Sequence, residues 1–133
     1  MDKYFTLQEA EQLLPLLKKE IHSLQQLQQS LKEKAEYLHE LKDQQAEDGA
    51  IFQTESELEF IQLQAKLHIQ NIHRQGVWLK SVEFGLLDFP SMLDGEEVLL
   101  CWKQGEDEIR YYHAIDSGFM GRIPIEKDQD FSS

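Results

Sequence analysis

The sequence predicts an α+β fold, a long antiparallel helical hairpin followed by a small antiparallel β-sheet. Residues 6–75 hold one Gly and one Pro and are rich in Leu, Gln, Glu and Lys, residues that enter a helix at little cost. Six of the seven glycines and two of the three prolines lie from Gly76 onward, among β-branched and aromatic runs. A helical half followed by a strand-and-turn half is the α+β pattern. A chain of 133 residues with 41% apolar composition suits one domain with its own core. We therefore expect a single domain over 1–125, with the helical hairpin over 6–75 and the β/turn region over 76–125. A disordered acidic tail is expected over 126–133.

Helix 1 has a defined start. Thr6 and Glu9 have the Thr-x-x-Glu spacing of a capping box, in which each side chain meets the other residue's backbone N–H. Pro15 removes a hydrogen bond and crowds the preceding turn, so a kink or break is expected near Leu13–Pro15, then continuous helix to about Asp43. Leu17, Ile21, Leu24, Leu31, Ala35 and Leu38 form one apolar stripe at helical spacing. Asp48-Gly49 reads as part of a loop over 44–54. Helix 2 then opens at one of two overlapping capping boxes, Thr54…Glu57 or Ser56…Glu59. Its apolar positions fall on two sides: Leu58, Ile61, Ala65, Ile69 and Ile72 on one, Phe60, Leu63 and Leu67 nearly opposite. Helix 1 can cover one side. The other needs the sheet or a second subunit. Gly76 is placed to end helix 2, since glycine enters the left-handed region without a Cβ clash.

The second half reads as strands. Val77–Lys80 and Gly85–Phe89 suit short extended pieces, the second ended by Pro90. From Glu96 to Ala114, Val98, Leu100 and Trp102 alternate, Gly105 marks a turn, and Ile109, Tyr111 and His113 alternate again. A hairpin about Gly105-Glu106 sets Trp102 against Ile109, Leu100 against Tyr111 and Val98 against His113, with Cys101 across from Arg110. His113 then ends the apolar face packed on the helices.

Charge and chemistry narrow the functional classes. The formal charge is −12, which argues against a nucleic-acid partner, because phosphate neutralisation by Lys and Arg dominates such affinity. It also disfavours anionic membrane surfaces, and no run of apolar residues is long enough to span a bilayer. The opening residues lack the basic start and apolar run of a signal peptide. Cys101 is the single cysteine, so no intrachain disulfide is expected and the default compartment is the reducing cytoplasm.

Glu36 and His39 have a metal-ligand spacing, but only His39 borders the buried stripe of helix 1, so no metal is expected there. His68 suits a partly buried, hydrogen-bonded core position. Asp88, Trp102, Glu106, His113, Asp116 and Arg122 make up the candidate ligand-binding set. His113 and Arg122 are separated by a loop with Gly118 and Gly121, and a guanidinium fork suits a carboxylate or phosphate. The alternative is a tight turn in which Arg122 pairs with Asp116 or Asp88. Cys101 opposite a cation could have a depressed pKa, or be a small buried hydrophobe.

The runs Gly85-Leu86-Leu87-Asp88-Phe89-Pro90, Asp94-Gly95, Leu100-Cys101-Trp102, Gly105-Glu106, Ile109, His113, Gly118-Phe119, Gly121-Arg122 and Pro124, with Phe5-Thr6-Leu7 and Leu13-Leu14-Pro15 at the start, resemble a bacterial family of uncharacterised proteins, domain of unknown function 2203. The resemblance spans Phe5 to about Ile125. It implies no activity, and no cofactor is identified. Two functional classes stand: a non-catalytic cytoplasmic module for interaction or small-ligand binding, with a homodimer and a small anionic ligand as its partners; or a small enzyme or metal-binding protein with a site around His113 and Arg122.

Overall fold

The computed structural model describes residues 3–132. Two helices, α1 (Leu7–Asp43) and α2 (Asp48–Arg74), form the hairpin. Five strands follow: β1 (Trp78–Ser81), β2 (Leu86–Leu93), β3 (Glu96–Lys103), β4 (Tyr111–Ala114) and β5 (Ile123–Pro124). They form an antiparallel meander in chain order, with a 3₁₀ turn over Phe119–Gly121 before β5. The α+β arrangement of hairpin and sheet is as the sequence predicts.

The α1 capping box is present, with both backbone-to-side-chain bonds at 3.0 Å. Of the kink or break expected near Leu13–Pro15, the break is not found: the helix runs continuously through Pro15. Leu14 and Leu17 on either side are buried in the core while Pro15 faces solvent. On this exposed side water can satisfy the carbonyl that proline leaves without a donor.

The loop between the helices is also shorter than expected, only Gln44–Glu47. Ala46 N–H donates to Leu41 O at 2.9 Å, and Gln45 takes a left-handed φ of 54°. Thr54 and Ser56 are not caps. They lie inside α2 and donate their hydroxyls to Ala50 O and Phe52 O, each at 3.0 Å. Asp48-Gly49 occupies the first turn of α2, where the backbone N–H groups have no intrahelical partner in any case. Gly76, at φ 85°, stops α2 as expected.

The core lies between the sheet and the near end of the hairpin. Phe5, Leu14, Leu17, Ile21, Leu24 and Ile72 pack against Leu87, Phe89, Leu100 and Trp102. Beyond Leu24 the stripe of α1 loses its cover: Leu31 and Leu38 are half-buried and Ala35 is exposed, until Leu41 packs near the turn. The far half of the hairpin is held by Leu41, Thr54 and Ile61 and by the Lys34–Glu57 ion pair at 2.5 Å.

Three details of the sheet differ from expectation. Pro90 does not end β2; it sits within it, opposite Leu99. Its carbonyl accepts from Phe5 N–H at 2.7 Å. In a strand a residue's N–H and C=O point the same way, so the missing proline donor faces away from β3 and costs no ladder bond. The β3–β4 register is displaced by one residue, with Leu100 opposite Tyr112, Leu99 opposite His113 and Cys101 opposite Tyr111. A one-residue slip moves each side chain of β4 to the other face. Finally, the expected disordered tail packs as far as it is described. Phe131 is buried against Tyr112, ring centroids 5.2 Å apart, and Ser132 exchanges backbone bonds with Met92 at 2.9 and 3.0 Å. Ser133 lies outside the described residues.

Candidate functional site

The register displacement builds a polar site on the sheet face turned away from the helices. Alternation along β2 sends Leu87 and Phe89 into the core and Asp88 to the opposite face. Cys101 lies directly across from Asp88 in β3, and His113 follows on β4. The three side chains converge, with one ligand-type atom of each within 4.8 Å of the others. All are buried: Asp88 and His113 are 2% exposed and Cys101 is 0%.

His113 is fixed at both nitrogens. Nδ1 lies 2.8 Å from Ala114 O and Nε2 lies 3.2 Å from Asp88 Oδ1. A carbonyl oxygen only accepts, so Nδ1 carries a proton and donates it. Nε2 is thereby left facing the Asp88 carboxyl group. Burial pushes the Asp88 carboxyl above its usual range, opposed by His113 and, from the other oxygen at 4.0 Å, by Lys80. Burial also pushes the Cys101 thiol up to about 12; the neighbouring Asp88 adds to this and Arg122 opposes it. A depressed thiol pKa opposite Arg110 is therefore not found. The register sets Cys101 against Tyr111 instead.

Arg122 belongs to the same face through a different contact from those expected. It pairs with Glu106, at 3.0 Å to Oε2 and 3.1 Å to Oε1, and not with Asp88 or Asp116. Its guanidinium carbon sits 4.0 Å from the Tyr111 ring centroid and 4.2 Å from that of Phe119. One nitrogen, Nη1, thus meets both carboxylate oxygens and the guanidinium lies close to two rings, contacts that suit a structural ion pair. Glu106 also ties the loop: its Oε1 accepts from Lys103 N–H at 2.7 Å and its carbonyl from Trp102 Nε1 at 2.9 Å.

Of the sequence-derived set, Asp88 and His113 meet directly, and Arg122 and Glu106 meet each other. Trp102 points to the helices as core, and Asp116 is exposed, with no side-chain bond among the described residues. Cys101 belongs at the centre of the site and was missed as a ligand. The parity of β2 carried a signal, since Asp88 is the one charged residue in a mostly apolar strand. Elsewhere, Glu36 and His39 face solvent, and His68 is half-buried with Nδ1 2.6 Å from Glu20 Oε2. An open groove lined by Lys3, His73, Arg74, Trp78, Lys80 and Pro90 lies at the end of α2 and has no counterpart in the sequence reading.

Fold and site together define a helical-hairpin α+β domain with a buried Asp-Cys-His cluster and no exposed nucleophile in it. The chain belongs to the family described as "Uncharacterized conserved protein (DUF2203)", whose model matches residues 3–125. No curated protein and no solved structure matches it. No helix among the described residues is long and apolar enough to cross a membrane.

Proposed function

We propose that this protein is a non-catalytic interaction module of the bacterial cytoplasm that pairs with a second copy of itself through α2. The observation that carries this reading is the uncovered apolar side of that helix: Phe60, Leu63 and Leu67 are each more than half exposed. Contiguous exposed apolar side chains favour association. The occupant follows from symmetry and charge. Ser56, Phe60, Leu63, Leu67 and Gln70 follow a four-three spacing, the seam of a two-helix contact. An antiparallel two-fold pairing centred near Leu63 sets Phe60 against Leu67 of the other copy and Glu59 against its Lys66. Both charged residues are exposed, and neither has an ion-pair partner among the described residues. The surface is therefore self-complementary, as a two-fold interface must be.

A non-catalytic role is supported by the buried high-pKa thiol and by the engagement of both His113 nitrogens, which leave no nucleophile–base pair in that cluster. The single unpaired cysteine suits a reducing compartment. Sedimentation analysis at micromolar concentrations tests the reading. The wild type should be dimeric, Leu63→Glu monomeric, and Glu59→Lys weakened, with Lys66→Glu restoring it in the double variant. A monomeric wild type overturns the proposal, as does a double variant no tighter than either single one.

A further inference from the structure

We propose that Asp88, Cys101 and His113 form a binding site for a tetrahedral divalent cation of the zinc class, cross-linking β2, β3 and β4 on the outer face of the sheet. The set combines a thiol, an imidazole and a carboxylate, the ligand types that zinc accepts and that calcium and magnesium, which prefer oxygen, do not. The 3.2 Å between His113 Nε2 and Asp88 Oδ1 is close to the edge of a tetrahedron with metal–ligand bonds near 2.0–2.1 Å, about 3.3 Å. The cysteine sulfur completes a three-atom cluster within 4.8 Å, and three protein ligands leave the fourth position to a water.

The imidazole is already oriented for this role. Its Nδ1–H is held by the Ala114 carbonyl at 2.8 Å, the outer bond that aims the Nε2 lone pair of a ligating histidine. That bond is made within β4, so it does not depend on the other two ligands.

Charge suits the ion in a place where imbalance is costly. A +2 ion held by one thiolate, one carboxylate and a neutral imidazole leaves the buried cluster without net charge, the thiol proton passing to solvent on binding. Two cations lie nearby and oppose the ion. Arg122 is cancelled by Glu106, and its N–H groups can donate to the sulfur. The Lys80 side chain is 44% exposed and can turn to solvent.

The test titrates chelator-treated full-length protein with Zn²⁺ and, separately, with Co²⁺. One equivalent of Zn²⁺ should bind and raise the melting temperature, as ligand linkage requires. Co²⁺ should give a sulfur-to-cobalt charge-transfer band with tetrahedral visible absorption. Cys101→Ser, nearly isosteric and buried, should fold and lose the charge-transfer band. His113→Gln should weaken Zn²⁺ binding by at least about tenfold. If wild type shows no melting shift with Zn²⁺, or Co²⁺ gives no sulfur band, the proposal is wrong. Unchanged Zn²⁺ affinity in Cys101→Ser also overturns it, placing the metal on surface histidines such as His22 or His39. Dimerisation does not enter any of these readings, so this outcome is independent of the α2 interface.

Discussion

The two ends of the helical hairpin are built from the same residue types and are held in different ways. Near the sheet, Leu14, Leu17, Ile21 and Leu24 of α1 are almost fully buried, and the chain entering α1 is pinned to β2 by Phe5 N–H on Pro90 O and by Ser91 Oγ on Phe5 O. Away from the sheet the leucine periodicity continues, but Leu31 and Leu38 are only half-buried, and polar side-chain contacts supplement the packing. Helical spacing therefore records which residues share a face, and it does not record whether anything covers that face. Burial comes from the third element, the sheet.

The largest expected effect tests this contrast directly. Leu17→Ala removes a fully buried side chain next to the sheet and should destabilise by about 2–5 kcal/mol. Leu31→Ala, the same change on a half-covered stretch, should cost about 1 kcal/mol or less, because little area leaves water there. Denaturant unfolding of both variants checks it. Equal losses would mean that the far half is buried in solution, as a dimer through the hairpin would produce, and the sedimentation experiment would then have to show that dimer.

The sheet end relies on polar contacts as well as apolar ones, and Arg122 tests how much. Its guanidinium lies against the Tyr111 and Phe119 rings and is paired with Glu106, at side-chain exposures of 15% and 19% for the two charged partners. Arg122→Ala leaves the Glu106 carboxylate partly buried without its partner and should cost about 2 kcal/mol, below the range for a fully buried pair. Neither protein should gain stability from added phosphate. A wild-type melting temperature that rises with phosphate while the variant's does not would make Arg122 an anion site.

Much of this architecture was legible in the sequence, and the illegible parts share a cause. The Thr6–Glu9 box and the Gly76 stop depend on a few consecutive residues, and local rules found them. The start of α2 was misplaced because Asp48-Gly49 has turn chemistry, yet lies in a first turn where its cost is small. The β3–β4 register was off by one because Glu106 binds Lys103 N–H and supplies its carbonyl to Trp102. Those bonds shape a loop over 104–110 that is longer than a tight turn. Alternation survives such a shift and merely changes face. The expected register therefore sets Cys101 against Arg110, whereas the observed pairing sets it against Asp88 and Tyr111, beside His113. The packing of Phe131 depends on Tyr112, nineteen residues earlier, and no local pattern in an acidic tail announces it.

Thr6→Ala probes the anchored end more gently. The cap bond to Glu9 N–H is lost and one first-turn donor is left to water, at a cost of about 1 kcal/mol. Unfolding that shows no change would mean that the Phe5–β2 contacts alone hold the start of α1.

The smallest effect concerns pH at that same cap. Bonds from the Thr6 backbone N–H, and secondarily from its hydroxyl, hold the Glu9 carboxyl below its ordinary value of 4.5. A depressed folded-state pKa contributes stability that is present above the unfolded value and lost as pH falls through the folded one. Glu9→Gln keeps the size of the side chain and removes its titration. The stability difference between wild type and variant should therefore be constant from neutral pH down to about 4.5, and should change against the wild type on further acidification. The carboxylate is exposed, so salt should shrink the difference. A difference that stays flat through this acid range would show that the reciprocal half of the capping box does not persist in solution, leaving the Thr6 hydroxyl and the Phe5 contacts to hold the start of the helix.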